Sequence, residues 1–255
     1  MQMRMVCWFA VLVTTAGCDA TRVRWAEPQG APGDTLGALV VGGDGTIGFV
    51  HPAMVAASPA DSSRCENSLV VAADGNRMYA AWLRRRPDST VAVVSSRSDD
   101  GRAWTAVNVV DSVDIGKFGC DRPGPSIATA EGWVHVAYSL KAPEGYGVFF
   151  AHSMDQMPVF HTPMTVIYGD RLSATAAAAQ GMRVAIAYED PSGSGKRIDV
   201  ALSKTQGHTF DRRERGSPDE MSASNPRIAI RDSVVALSFV GADGVNRAVR
   251  VGHIP

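Results

Sequence analysis

The chain has 255 residues, with 25 Lys and Arg against 26 Asp and Glu and a formal net charge of −1. This balance excludes the basic surface that nucleic-acid binding needs, so we expect no nucleic-acid partner. Gly (25) and Pro (14) are frequent, and the apolar residues, 45% of the chain, come in short runs. The composition therefore predicts an all-β globular domain and excludes a bundle of membrane-spanning helices.

Residues 1–17 have the pattern of an export signal peptide. One Arg near the start is followed by an apolar run from Val6 to Val13, which is too short to span a membrane as a helix. The segment runs into TTAGC, which resembles the lipobox of bacterial lipoproteins, although Thr15 stands where Leu is usual. The resemblance implies that Cys18 carries a lipid and becomes the mature N-terminus. An ordinary cleaved signal with an incidental Cys is the alternative.

Lipidation would anchor the protein to a membrane of the bacterial cell envelope, facing the periplasm or the cell surface. Residues 18–35 are rich in Pro, Gly and charge and have no period, so we interpret them as a flexible tether. Cys7 leaves with the signal, which leaves Cys65 and Cys120 as a pair in an oxidising compartment. A disulfide between them is expected, and two free buried thiols are the alternative.

One pattern recurs four times between residue 36 and the end of the chain. An apolar strand, a polar or Gly-containing turn and a second apolar strand predict β-hairpins at residues 68–82, 125–139, 173–189 and 226–240. A third strand follows each hairpin, at residues 90–96, 146–153, 197–203 and 246–254. Four-stranded units of about 40–50 residues are typical of β-propeller blades. Residues 36–255 are therefore predicted to form a propeller domain.

A polar turn that ends in an aromatic residue follows the third strand of the first three units. The copies are RSDDGRAW (97–104), SMDQMPVF (153–160) and SKTQGHTF (203–210), and together they follow S-x-D-x-G-x-x-(W/F) with one departure in each. This pattern resembles the Asp-box, or bacterial neuraminidase repeat, of sialidase-type β-propellers. The resemblance gives the turn a structural role, with buried aromatic side chains. The residues concerned are Asp99, Gly101, Trp104, Ser153, Asp155, Phe160, Ser203, Gly207 and Phe210.

The resemblance implies a small propeller of four blades, or of five if residues 38–51 form a shortened repeat. The chain ends after the third strand of the last unit, so another segment must supply a fourth strand or leave an open edge. We expect the N-terminal strand at residues 38–51 to close the ring in this way. The six blades of catalytic sialidases do not fit comfortably into the 220 residues from 36 to 255.

Propeller ligands usually bind where loops enter the innermost strands and join the second strands to the third. In this sequence Arg and carboxylate residues concentrate in those loops. Sialidases hold the sugar carboxylate with three arginines and use a Tyr–Glu nucleophile and an Asp acid/base. The resemblance therefore makes the candidates Arg122, Arg171, Arg227, Glu189 and Asp121. Tyr188 is next to Glu189 and, in a strand, points to the opposite face, so the two form a poor dyad.

The sequence favours a non-catalytic, envelope-anchored binding or scaffold module that recognises a glycan or an envelope protein. The sialidase F/Y-R-x-P motif is missing, the blades are too few, and charged loops are ordinary in a propeller. An exo-sialidase-type glycoside hydrolase is the alternative, and a periplasmic assembly factor is not distinguished from the first interpretation. We expect a monomer without a cofactor. We also expect no metal, because no close metal-ligand spacing joins the histidines, which are His51, His135, His152, His161, His208 and His253.

Overall fold

The computed structural model describes residues 22–31, 37–50, 57–153, 159–193 and 195–254. The predicted signal peptide, the lipidation site Cys18, part of the predicted tether and the Asp-box residue Asp155 lie outside these ranges. Within the ranges, the helical structure consists of the 3-10 helix Glu66–Ser68, and no helix is long and apolar enough to cross a membrane. The all-β class is confirmed.

The described ranges contain nineteen strands. The N-terminal region contributes β1 (Arg24–Trp25), β2 (Gln29–Gly30), β3 (Ala38–Val41) and β4 (Ile47–Val50). The first repeat contributes β5 (Val70–Asp74), β6 (Arg77–Arg85), β7 (Val91–Ser98) and β8 (Asn108–Asp111). The second contributes β9 (Ser126–Ala130), β10 (Trp133–Ala142), β11 (Gly145–Ser153) and β12 (Met164–Gly169). The third contributes β13 (Thr175–Gln180), β14 (Arg183–Glu189), β15 (Ile198–Ser203) and β16 (Arg212–Arg215). The fourth contributes β17 (Ser224–Arg231), β18 (Val234–Val240) and β19 (Arg247–His253).

Strands that follow one another in the chain pair antiparallel and form the sheets. β5–β8, β9–β12 and β13–β16 each make one four-stranded sheet, β17–β19 belong to a five-stranded sheet, and β3 pairs with β4. The four predicted hairpins are therefore confirmed. Their turns suit the strand twist: Glu131 and Gly132, between β9 and β10, both have positive φ (53° and 83°), as a type I′ turn requires.

The second strand of each four-stranded unit is buried on both faces. Continuous buried runs are Tyr79–Leu83, Val134–Leu140, Val184–Tyr188 and Val235–Val240. Apolar side chains fill most successive positions because a neighbouring sheet covers each face. Shared core clusters join the first repeat to the second, the second to the third and the third to the fourth. The sheets therefore pack face to face in chain order.

A segment of the predicted tether completes the last sheet. β1 pairs antiparallel with β19, with Arg24 opposite His253 and Trp25 opposite Gly252, and β2 also pairs with β19. The lack of a side chain at Gly252 allows this approach, because a Cβ there would overlap Val23 and the Trp25 ring. Residues 22–31 therefore cover the edge of β19, which a flexible tether would leave open.

The expectation that residues 38–51 donate the missing strand is wrong. β3 and β4 instead pair with each other, with Ala38 opposite Val50. The intervening turn favours this hairpin, since Asp44 Oδ1 accepts the Thr46 N–H at 3.0 Å and Gly45 has a φ of 82°. β3 packs beside β17, so the hairpin forms a two-stranded sheet of its own.

The polar turn after β7 is held by a different carboxylate from the one expected. Asp100 Oδ1 accepts hydrogen bonds from the backbone N–H groups of Arg102 and Ala103, both at 2.8 Å. Asp99, which the sequence pattern selects, is exposed. Gly101 takes the left-handed conformation within the turn, with φ 70°. The aspartate that caps the turn is therefore Asp100, one residue after the Asp99 that the sequence pattern selects.

The polar turn after β15 keeps its hydrogen bonds although Thr replaces Asp. Ser203 Oγ accepts the N–H of Gly207 at 2.9 Å, and Thr205 Oγ1 accepts the N–H of Thr209 at 3.0 Å. Gly207 has a φ of 86°, and a Cβ at this position would overlap the Phe150 ring. The turn thus packs directly on the neighbouring sheet.

The aromatic residues that end the three turns pack against the core but are only partly buried. Trp104, Phe160 and Phe210 each contact a different core cluster. Trp104 Nε1 also donates to the Ala57 carbonyl at 2.7 Å. Phe160 forms a β-bridge with the buried Ser153.

A disulfide joins Cys65 and Cys120, with their Cα atoms 5.3 Å apart, and confirms the predicted pairing. Cys65 lies in the loop that enters β5, and Cys120 lies in the loop that enters β9. The bond therefore links the entry loops of two adjacent sheets.

Removal of this disulfide should reduce the free energy of unfolding substantially. The cysteines are 55 residues apart, and closing a loop of that length removes about 4 kcal/mol of unfolded-state entropy. The double variant Cys65→Ser, Cys120→Ser should show this loss in urea denaturation. The single variants provide the comparison, and an unfolding curve equal to that of the wild type would contradict the stabilising role.

Candidate functional site

Residues of five strands line a cavity of about 850 Å³. The strands concerned are β3, β5, β9, β13 and β17. Small side chains, among them Ala73, Ala128, Ala176 and Ala178, make up much of the wall. Because several strands converge on one space, small residues leave the cavity open. Its size lies in the range of small-molecule sites.

One end of the cavity, here called the mouth, is lined by Ser126, Thr175, Asn225 and Arg227 at the starts of their strands. Ser126 Oγ and Thr175 Oγ1 lie 3.1 Å apart, and Thr175 Oγ1 donates to the Ala137 carbonyl at 3.1 Å. Hydroxyl, amide and guanidinium groups therefore gather where the entry loops meet the inner strands.

Arg227 is the predicted site residue that lines the cavity. Its Nη1 donates to the Gly37 carbonyl at 2.6 Å, and its guanidinium carbon lies 5.7 Å from the centre of the Phe49 ring. Burial lowers the pKa of this guanidinium from its usual value. The charge is thus held at the wall of the cavity by the β3–β4 segment.

Arg247, which the sequence analysis did not select, lies close to Arg227. It is 9% exposed, and its Nη1 donates to Ser238 Oγ at 3.2 Å. Burial, together with the charge of Arg227, lowers the pKa of Arg247 to about 10. Two neighbouring cations in a poorly solvated region favour an anion there. Arg247 lies in an alternating strand, and its position in the sequence did not indicate that it would lie beside Arg227.

Glu189 reaches the mouth through a bulge in β17. The register of β17 against β18 shifts between Ser224 and Arg227, and Asn225 within the bulge has a φ of 52°. Glu189 Oε1 accepts the Asn225 N–H at 2.8 Å. Bulges commonly redirect a strand beside a site, and this one brings a carboxylate to the same rim as Arg227.

The side chains of Tyr188 and Glu189 do not face the same site. Tyr188 is 1% exposed and packs in the core shared by the second and third repeats. Burial, with a smaller contribution from Asp199, raises the pKa of the Tyr188 hydroxyl well above its usual value. The expectation that the two side chains point to opposite faces is therefore supported by their surroundings.

The Arg122 guanidinium forms its ion pair and hydrogen bonds within its own loop. Its Nη1 pairs with Asp114 Oδ2 at 2.9 Å, and neither side chain has exposed surface. Its Nη2 and Nε donate to the carbonyls of Gly116 and Gly119, at 2.5 and 3.1 Å. This guanidinium stabilises the loop that enters β9 and does not line the cavity.

The other two candidates occupy separate places on the loops. Arg171 Nη2 donates to the carbonyls of Asp190 and Gly195, at 2.8 and 3.0 Å. Asp121 is exposed, next to the disulfide at Cys120. The structure therefore places Arg227 in the cavity wall and bonds Glu189 to Asn225, which also lines the cavity. Arg122 and Arg171 bind partners in the loops and do not line the cavity.

Three histidines that the sequence analysis judged unrelated lie together at the opposite end of the sheets. One ring nitrogen from each of His152, His161 and His208 lies within 4.8 Å of the other two. The histidines show no close metal-ligand spacing in the sequence, and the fold brings these three together from separate positions. His152 and His208 belong to different repeats, so the sequence spacing within one repeat does not indicate that they lie in contact.

Replacement of Arg122 by Ala should destabilise the fold, because it leaves the Asp114 carboxylate buried without its partner. Breaking a buried ion pair in this way costs about 3–5 kcal/mol. Urea denaturation of Arg122→Ala should show a loss of this size, and Arg85→Ala, at an exposed position, should unfold close to wild type. Equal unfolding curves for the two variants would show that the Arg122–Asp114 pair is not structural.

Among solved structures, the chain is similar to a Trypanosoma rangeli sialidase in complex with the inhibitor DANA, with a TM-score of 0.50, 10% identity, and coverage of 83% of this chain and 38% of the sialidase. An α-L-arabinofuranosidase of Fusarium graminearum bound to arabinobiose aligns over 73% of this chain and 57% of its own, with 13% identity and a TM-score of 0.48. An endo-arabinanase from Bacillus licheniformis aligns over 71% and 66%, with 13% identity and a TM-score of 0.44. No protein-family model and no curated protein matches the chain.

The fold is a β-propeller fold of the sialidase-like kind. The chain spans 57% of the arabinofuranosidase and 38% of the sialidase. The prediction of a non-catalytic binding or scaffold module is wrong, since the solved structure that shares this fold with a TM-score of 0.50 is a sialidase.

Proposed function

We propose that the protein is a glycoside hydrolase of the exo-sialidase type that acts on a terminal acidic sugar at the mouth of the central cavity. The observation that carries the proposal is the hydrogen bond from the Asn225 N–H to Glu189 Oε1, because Asn225 lines the cavity two residues before Arg227, which lines it too. Most glycoside hydrolases use carboxylates beside the scissile bond, and sialidases combine a glutamate with their tyrosine nucleophile. An anionic sugar is favoured because arginine binds carboxylates through its planar pair of donors.

Arg227 at the mouth and the neighbouring Arg247 support an acidic substrate. Arg227 lines the cavity, and Arg247 is near enough for the charge of Arg227 to lower its pKa. A bound carboxylate would relieve the repulsion between them and replace the water that burial removes. This pair takes the place of the three-arginine set Arg122, Arg171 and Arg227 that the family resemblance implies.

The proposed roles of the carboxylates follow from their surroundings. Glu189 Oε1 is fixed by the Asn225 N–H, which leaves Oε2 as the oxygen available to a substrate or water. Asp121 would be the second carboxylate, carried on the loop that leads to Pro125 in the cavity wall. The disulfide and the Arg122–Asp114 pair hold this loop, so its position is set by two strong constraints.

A ring of five blades would provide a central cavity for a site of this kind. We propose that β3–β4 form a short fifth blade and that β1 closes the ring by completing the last sheet. The hydrogen bonds of the turns at Asp100 and Ser203 support their interpretation as Asp-boxes, in which polar side chains cap the turn.

We also propose that Cys18 is lipidated and holds the protein at the bacterial cell envelope, where a glycan would be its substrate or partner. The disulfide supports an oxidising location. Only residues 19–23 separate Cys18 from the first residue of β1, a span of at most about 18 Å. The last sheet would therefore sit close to the membrane surface.

Hydrolysis of a fluorogenic α-sialoside by the full chain would test the proposed activity. Glu189→Gln should reduce kcat about 10²–10⁴-fold, because it removes an ionisable carboxylate while keeping the size of the side chain. Glu144→Gln provides the matched control, since Glu144 is an exposed carboxylate in the turn between β10 and β11. Absence of turnover by the folded wild type, or an equal loss in both variants, would contradict the proposal.

Arg227→Ala should distinguish recognition of the acidic group from general damage to the site. We expect a higher KM for the sialoside, because the guanidinium is proposed to bind its carboxylate. If a neutral α-L-arabinofuranoside is also hydrolysed, its KM should change little. A similar change for the two substrates would show that Arg227 does not recognise the carboxylate.

A further inference from the structure

The histidine cluster of His152, His161 and His208 has the composition and closeness of a metal site. His152 Nε2 lies 2.9 Å from His161 Nδ1. The His208 ring centre lies 4.6 Å from that of His152 and 5.7 Å from that of His161. Three imidazoles this close are a common ligand set for a transition metal.

The fold, and not a flexible surface, brings these rings together. His152 lies near the end of β11, and its carbonyl accepts the His161 N–H at 2.8 Å. The adjacent bridge between Ser153 and Phe160 fixes the two segments side by side. His161 therefore stands beside His152 through backbone pairing.

The third ring comes from the next sheet. His208 lies in the polar turn between β15 and β16, where Gly207 packs against Phe150 and close to the His152 ring. Trp133 contacts both His152 and His208, with ring centres 5.6 and 5.8 Å apart. The cluster thus bridges the second and third repeats at the end of the sheets that carries the strand-three to strand-four turns.

Hydrogen bonding orients the exposed ring for coordination. His208 Nδ1 lies 2.6 Å from the Thr205 carbonyl oxygen, which can only accept, so Nδ1 carries the proton. Nε2 of His208 is then the nitrogen with a free lone pair. A backbone carbonyl on the far nitrogen is the usual support of a metal-binding histidine.

His152 Nε2 and His161 Nδ1 lie within hydrogen-bonding distance, so one of these two nitrogens donates a hydrogen bond to the other. A neutral imidazole is the form that binds a metal ion. The proton between His152 Nε2 and His161 Nδ1 would move to the other nitrogen of its ring when the metal takes its place.

We propose that His152, His161 and His208 bind one Zn²⁺ ion, with water as the fourth ligand. Zn–N distances of about 2.0–2.1 Å in a tetrahedron place nitrogens roughly 3.3 Å apart, close to the 2.9 Å between His152 and His161. The ligand nitrogens of the three rings lie within 4.8 Å of one another, so a small movement of the exposed His208 completes the approach. The ion would cross-link two adjacent sheets at the end opposite the mouth, and this inference does not depend on the proposed hydrolase activity.

Titration of the full chain with ZnCl₂ by calorimetry tests this site, using chelator-treated protein without a polyhistidine tag. We expect one ion per chain and a Tm that rises with Zn²⁺ concentration, because the ion binds the folded state. His208→Ala should weaken binding at least tenfold. Its side chain is exposed, so the variant should still fold. His253→Ala, an exposed histidine outside the cluster, should bind as the wild type does.

Substitution with Co²⁺ supplies an independent readout of geometry. A tetrahedral site should give the intense visible absorption of four-coordinate Co²⁺ in the wild type and in His253→Ala, and His161→Ala should lose it. Absence of saturable Zn²⁺ binding, or unchanged binding in both His161→Ala and His208→Ala, would overturn the proposal. In that case the three rings form only a hydrogen-bonded contact between sheets.

Discussion

The packing of each sheet against its neighbours on both faces is the constraint on which the rest of the structure depends. It buries the central residues of β6, β10, β14 and β18 and leaves little room for polar chemistry there. The polar groups that line the mouth of the cavity and the three clustered histidines lie instead at the two ends of the strands.

Covering the edge of the last sheet completes this arrangement. β19 would present unpaired backbone groups if nothing lay beside it, and β1 and β2 satisfy part of this edge. The close contact of Trp25 with Gly252 shows that this pairing is specific packing. A segment next to the proposed lipid anchor is thereby part of the folded domain.

The repetitive features were predictable from the sequence, and the features between repeats were not. Alternation and turn residues located the hairpins at 68–82, 125–139, 173–189 and 226–240, because these signals are local. The pairing of Arg24–Trp25 with β19 joins residues more than 220 positions apart in the chain, and two-residue strands carry no period. The choice of Asp100 over Asp99 depends on the exact turn geometry, which the pattern S-x-D-x-G-x-x-(W/F) describes only approximately.

For the site residues, the sequence likewise indicated which residue types gather in the loops but not which of them line the cavity. The sequence selected Arg122, Arg171 and Arg227 as candidates for the mouth. It could not separate Arg227, which lines the cavity, from Arg122, which binds Asp114 and two backbone carbonyls. Arginine in a loop rich in carboxylates and glycine carbonyls finds structural partners as readily as ligands. The contribution of Arg227 to a site therefore rests on its position on an inner strand, where neighbouring sheets converge and a ligand can approach.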